Sequence, residues 1–164
     1  MTTYTATTAD GTVVQYRDGK RWLWALSVLY PLQPLLGIAL HAHSGNEYWL
    51  LLPLAITFVG LTALDAIVGE DENNPPESVV MTLERDHYYR YLTYGAVAMH
   101  FVSLLGTAWW AVSASLSPFG YTGLAIVAGM TAGLAINTGH ELGHKRTRLE
   151  RSLSHLALAL PAYG

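Results

Sequence analysis

Charge is missing from three long stretches of this 164-residue chain, and that absence limits the fold more than any motif does. Residues 22–46, 48–64 and 91–140 contain no Asp, Glu, Lys or Arg. A helix that crosses a bilayer needs ~20 predominantly apolar residues, so the first two stretches each match one span and the third matches two. Ser117, Pro118, Phe119 and Gly120 supply turn chemistry between those two. The expected spans are therefore about 22–40, 48–64, 91–112 and 121–138. Only 13 % of residues are charged and 51 % are hydrophobic, against about 25 % charged in a soluble domain. The sequence predicts an all-α membrane protein, a four-span transmembrane helix bundle. A short N-terminal segment (1–21) precedes one membrane domain (22–164).

Lysines and arginines give the orientation, because positively charged flanks are retained in the cytoplasm during insertion. Arg17, Lys20 and Arg21 precede the first span, Arg85 and Arg90 lie between the second and third, and Lys145, Arg146, Arg148 and Arg151 follow the fourth. All nine therefore fall on one side. The N-terminus, the 69–90 loop and the segment after Thr138 are predicted to be cytoplasmic. Trp22 and Trp24 mark the inner interface, and Tyr48, Trp49, Trp109, Trp110 and Tyr121 mark the outer one. The Thr-rich stretch before Val13 lacks the basic, apolar, small-residue order of a cleavable signal and is expected to be polar and mobile. A net charge of −3 leaves no basic excess for nucleic acid. Without cysteine the chain cannot form disulfides, zinc ribbons, iron–sulfur clusters or thiol nucleophiles.

Pro31 and Pro34 are expected to kink the first span. Gly129 and Gly133, four residues apart in the fourth span, are expected to let another helix approach closely. Asp71, Glu72, Glu77, Glu84 and Asp86 make the 69–90 loop acidic, which reads as a solvated face.

Chemistry concentrates in Asn137-Thr138-Gly139-His140-Glu141-Leu142-Gly143-His144-Lys145. Two histidines at i and i+4 share one helix face with Cβ atoms ~5 to 6 Å apart, so both imidazoles reach one metal ion. The bland alternative is a pair of exposed histidines at a charged helix end. The same HExxH pattern is a zinc-protease signature, with Glu141 as general base to a zinc-bound water. That scheme needs a third protein ligand, and His155 in an unbroken helix would lie ~16 Å further along the axis. Asp65, an acid at the end of an apolar span, reads as either a supporting carboxylate near the metal or an arginine partner. His100 lies near mid-membrane, where it reads as an interhelical hydrogen-bonding group or as part of a substrate path. His41, His43 and His87 fall at helix ends or in loops and read as surface residues.

The run NTGHELGHK, the loop LDAIVGEDENNPPE from Leu64 to Glu77, the stretch YYRYLTY from Tyr88 to Tyr94 and the AWW of Ala108 to Trp110 strongly resemble the membrane-bound alkane 1-monooxygenases. This family belongs with the membrane fatty acid desaturases and hydroxylases. The resemblance runs from about Tyr16 to the last residue. It implies a histidine-ligated pair of iron ions at the cytoplasmic end of a helix bundle, in the bacterial inner membrane. It also implies O2, n-alkane substrates, and electrons from rubredoxin and its NADH-dependent reductase. His140 and His144 match the family's first histidine box and become iron ligands, while Glu141 becomes a carboxylate orienting an imidazole. The later boxes, of the types EHxxGHH and HxxHH, are absent from these residues, so the chain reads as the N-terminal part of a longer enzyme. The activity is expected of the complete protein and not of these residues alone. Another desaturase or hydroxylase of the superfamily, and a membrane zinc metallopeptidase, remain as alternatives. An alkane offers nothing to hydrogen-bond, so its binding rests on apolar burial worth ~0.8 kcal/mol per CH₂. A channel lined by side chains such as those of the second helix is the expected route.

Overall fold

The computed structural model describes residues 2–69 and 74–163. Asp71 and Glu72 of the acidic loop lie outside them. Among the described residues four helices are long and apolar enough to cross a membrane: α1 (Arg21–Ser44), α2 (Glu47–Val68), α4 (His87–Ser113) and α5 (Pro118–Gly143). Two shorter helices, α3 (Glu77–Glu84) and α6 (Arg148–Ala159), accompany them. The four expected spans are all present and each runs longer than its apolar core. Their ends are set by caps. Asp86 accepts a hydrogen bond from the Tyr88 amide at 2.8 Å and starts α4. Ser117 caps α5 with Pro118 in its first turn, so the expected Ser-Pro-Phe-Gly turn is the start of the helix instead. Gly45, at φ 72°, closes α1 by donating to the His41 carbonyl at 2.7 Å.

The expected disturbance of the first span takes the form of tight turns. Ala25–Val28 and Tyr30–Leu32 are 3-10 segments between an α-helical turn at Arg21–Trp24 and the longer α-helix that starts at Gln33. Pro31 and Pro34 lack the amide hydrogens that a continuous ladder requires. In α2 the residues Ala55–Gly60 form a π-helical turn, and the Thr57 hydroxyl pairs with the Tyr30 hydroxyl at 2.6 Å.

The N-terminal stretch is not an irregular tail. Thr2–Thr7 (β1) and Val13–Asp18 (β2) pair antiparallel in the register Thr2↔Asp18 to Thr7↔Val13. Asp10 accepts from the Thr12 amide at 3.2 Å, and Gly11 turns the chain at φ 85°. The hairpin is anchored through Tyr4, which is 7 % exposed and donates to the Asp86 carboxylate. Arg21 pairs with the same carboxylate, donates to the Tyr4 hydroxyl at 2.6 Å and lies 3.9 Å above the Tyr88 ring. Burial, followed by the hydrogen bond to Asp86, pushes the Tyr4 phenol up to about 12, so it remains a donor at neutral pH.

Two apolar clusters hold the bundle. Ile38, Leu50 and Leu124 pack with Leu35 and Trp110 toward one end. Val97, Leu142 and Ala157 pack with Tyr94, Phe101 and Leu153 toward the other. His41 is only half exposed, its ring edge-on to Trp110 at 5.7 Å, so it is not the surface residue expected. Gly129 and Gly133 have no described neighbour within 4 Å of a built Cβ. Close approach occurs instead at Gly123, where a Cβ would lie 2.8 Å from Leu51, and at Gly139, where it would lie 2.8 Å from Leu158. A four-residue glycine spacing does not reveal which face meets a partner.

Candidate metal centre

The box lies where α5 ends. His140 is helical, and His144 caps the helix with α-region dihedrals, its amide donating to the His140 carbonyl at 3.3 Å. The i, i+4 relation is therefore kept to the last turn, and both imidazoles are exposed. His140 meets the Tyr163 ring at 6.0 Å, and neither histidine side chain hydrogen-bonds to another described residue. Two imidazoles free of hydrogen bonds, one turn apart, suit a metal as part of a ligand set. Among the described residues no third His, Cys, Asp or Glu joins them. The two imidazoles therefore fit part of a metal site.

The helix does not continue toward His155. After Gly143 the helix ends, and α6 folds back along α5, with the Ser154 hydroxyl donating to the Gly139 carbonyl at 2.6 Å. His155 is exposed on α6 and stays out of any three-residue ligand group with the box, for a different reason from the one expected. Thr147 and Glu150 form a capping box that starts α6. Glu150, 1 % exposed, also accepts from Arg90 Nε at 2.9 Å and Tyr94 Oη at 3.1 Å. Burial alone would raise its carboxyl, but the hydrogen bonds from Thr147, Arg90 and Tyr94 hold it below the usual range. This pairing clamps α6, and with it the end of α5, against α4.

Glu141 pairs with Lys145 at 2.7 Å, which holds the lysine pKa above its ordinary value. Glu141 also lines a cavity of about 580 Å³ among α1, α4 and α5. Trp24, Leu26, Tyr30, Leu92, Ala96 and Leu134 form much of its apolar wall, with His100 at the inner end. His100 is 5 % exposed and its Nδ1 has no partner. The second helix contributes nothing to this lining, so the expected channel wall is supplied by the first, third and fourth spans. Asp65 is exposed in the last turns of α2 and has no arginine partner among the described residues.

No protein-family model matches the sequence. Curated proteins do. The chain is 45 % identical over 150 residues, 92 % of its length, to alkane 1-monooxygenase of Pseudomonas putida. It is 44 % identical over 149 residues, 91 % of its length, to alkane 1-monooxygenase 1 of Alcanivorax borkumensis. The chain belongs to the alkane 1-monooxygenase family. It spans 37 % of the length of each of these relatives. A more distant member, from Acinetobacter baylyi, is 30 % identical over 153 residues.

The family motif drew attention to the histidines and left other residues of the cavity unnoticed. Trp24, Tyr89, Asn137 and Thr138 also line it. Asn137 and Thr138 were visible only as part of the box, and Tyr89 only as part of the run from Tyr88 to Tyr94. Trp24 read as an interface marker. Their convergence depends on how α1 and α4 cross α5.

Proposed function

We propose that the complete protein hydroxylates the terminal carbon of medium-chain n-alkanes to give 1-alkanols at a histidine-ligated two-iron site. O2 is the oxidant and rubredoxin, with its NADH-dependent reductase, supplies the electrons. The observation that carries this reading is the cavity that runs from His100 to Glu141 in the box. Along α4, Tyr89 and His100 both line it, an extent of ~16 Å at helical rise. Such a space takes an extended alkyl chain by apolar contact, each CH₂ withdrawn from water contributing ~0.8 kcal/mol. The activity for which the relatives are named supports the same chemistry.

His140 and His144 are two of the iron ligands in this reading. Iron with O2 supplies the oxidising strength that no side chain has for an unactivated C–H bond. The chain's own contribution is placement. The wall between Trp24 and Leu134 holds the alkyl chain, and the Glu150 clamp fixes the helix end that carries both imidazoles. Glu141 stands between box and cavity, where its carboxylate can orient an imidazole; Asp65 is a second carboxylate on the box side of the bundle in the proposed topology. That side faces the cytoplasm, where the electron donor resides.

The test uses the complete protein in detergent. His140→Ala and His144→Ala should each lose most of the bound iron and the conversion of octane to 1-octanol. Unchanged iron content and activity in both variants, or zinc in place of iron, would overturn the assignment.

A further inference from the structure

Tyr89 and Glu141 line three adjoining cavities. The largest opens laterally, because Trp24 and Leu26 on its rim are 56 % and 61 % exposed on a membrane-spanning helix. The second, about 390 Å³, has an apolar wall of its own in Trp24, Pro75 and Leu83, but Asp18, Lys20 and Glu84 also line it, so it carries charged groups that the first has only at Glu141. Trp24, Tyr89 and Glu141 are common to the two. Of these, Trp24 is on the lipid rim and Glu141 reaches out to Lys145 with a side chain 60 % exposed. Tyr89 is the ring that stands between.

Its position is fixed from outside the membrane domain. The Tyr89 hydroxyl donates to Asp18, the last residue of β2, which is 2 % exposed. The neighbouring Tyr88 hydroxyl donates to the Arg21 carbonyl at 2.8 Å. The hairpin, the start of α1 and the first turn of α4 are thereby tied together at the cavity mouth. A tyrosine suits such a place because its ring packs against apolar surface while its hydroxyl is satisfied on the polar side.

We propose that Tyr89 is a positioning residue whose ring, clamped by Asp18, closes the apolar cavity against the charged one and sets where an alkyl end stops beside the box. This rests on the alkane reading of the cavity. It gives the N-terminal hairpin a role in the reaction, since undocking β2 would release the closure.

The experiment measures access of water directly. Ala96 lines the cavity seven residues beyond Tyr89, ~10 Å deeper along α4. Ala96→Cys is placed in the complete protein, in a background otherwise free of cysteine, and reconstituted in bilayer discs. Its labelling by a charged, water-soluble methanethiosulfonate is followed by mass spectrometry. Tyr89→Ala should speed labelling about tenfold by removing the barrier, and Asp18→Asn should speed it less by loosening the same ring. Ala132→Cys, buried between spans, should keep its slow rate in both. An unchanged rate at Ala96→Cys in Tyr89→Ala overturns the closure. Equal acceleration at Ala132→Cys also overturns it, because the tyrosine would then be a general strut. Protection of Ala96→Cys by excess decane in the parent supports the alkane reading. Absence of that protection, with the Tyr89 effect intact, removes the alkane reading and leaves the closure standing.

Discussion

Glu150→Ala tests whether the clamp on α6 holds the metal box in place. The carboxylate is buried and shared among the Thr147 hydroxyl at 2.6 Å, Arg90 Nη2 at 2.8 Å and Tyr94 Oη at 3.1 Å. Removing one partner of a fully buried ion pair costs ~3–5 kcal/mol. The Arg90 side chain is 27 % exposed and can regain water, which discounts that figure. Loss of the helix-capping interaction adds about 1 kcal/mol. The sum expected is about 2–4 kcal/mol. Glu150→Gln keeps an acceptor for Thr147 and Tyr94 and should lose about half as much. The assay is reversible unfolding of the purified protein in mixed micelles with increasing dodecyl sulfate, read by tryptophan fluorescence. Iron content is measured on the still-folded fraction. A fall in iron retention that tracks the stability loss is expected, because α6 packs on Gly139 and Gly143 at the box. A change below 0.5 kcal/mol, the level of a surface pair, would refute the clamp.

Gly139→Val should be more disruptive than Gly129→Val, since a Cβ at Gly139 meets Leu158 at 2.8 Å and one at Gly129 meets no described atom within 4 Å. Overpacking of this kind costs ~1–3 kcal/mol, and the same dodecyl sulfate titration should separate the variants. The Arg21 hydrogen bond holds the Asp86 carboxyl well below the usual carboxylate range. With a depressed folded pKa, its stabilisation is complete above about pH 4 and is lost as the pH falls toward the folded value. Hydrogen exchange of residues 2–18 should therefore rise below about pH 4, and Asp86→Asn should expose the hairpin at pH 7 and flatten the acid response. An acid response as steep as the parent's would contradict the assignment. For topology, cysteines at Ser78, Ser117 and Ser152 should label from outside intact cells only at Ser117. Labelling at Ser152 in intact cells would reverse the proposed orientation.

What the sequence disclosed and what it concealed divide along the range of the interaction. A span is legible because its apolar length is local, and the His140–His144 pair is legible because helix geometry alone sets its spacing. The hairpin also had a local signature, Asp10-Gly11 between runs rich in Thr and Val, which is the strongest short turn signal. A polar stretch before a membrane domain resembles a tail, because a hairpin packed on a helix end has little apolar alternation of its own. The glycines show the limit of local spacing. Gly129 and Gly133 are separated as Gly139 and Gly143 are, yet among the described residues only the second pair meets a neighbouring helix. Nothing in a four-residue interval states which helix face is occupied. The cavity is further from view, since Trp24, Tyr89 and Glu141 come from three helices whose crossing no periodicity encodes. Their meeting depends on the 3-10 turns that Pro31 and Pro34 impose on α1 and on the glycine contacts that draw α6 against α5. A motif therefore locates the metal ligands, while the surroundings that govern what reaches them follow from helix packing.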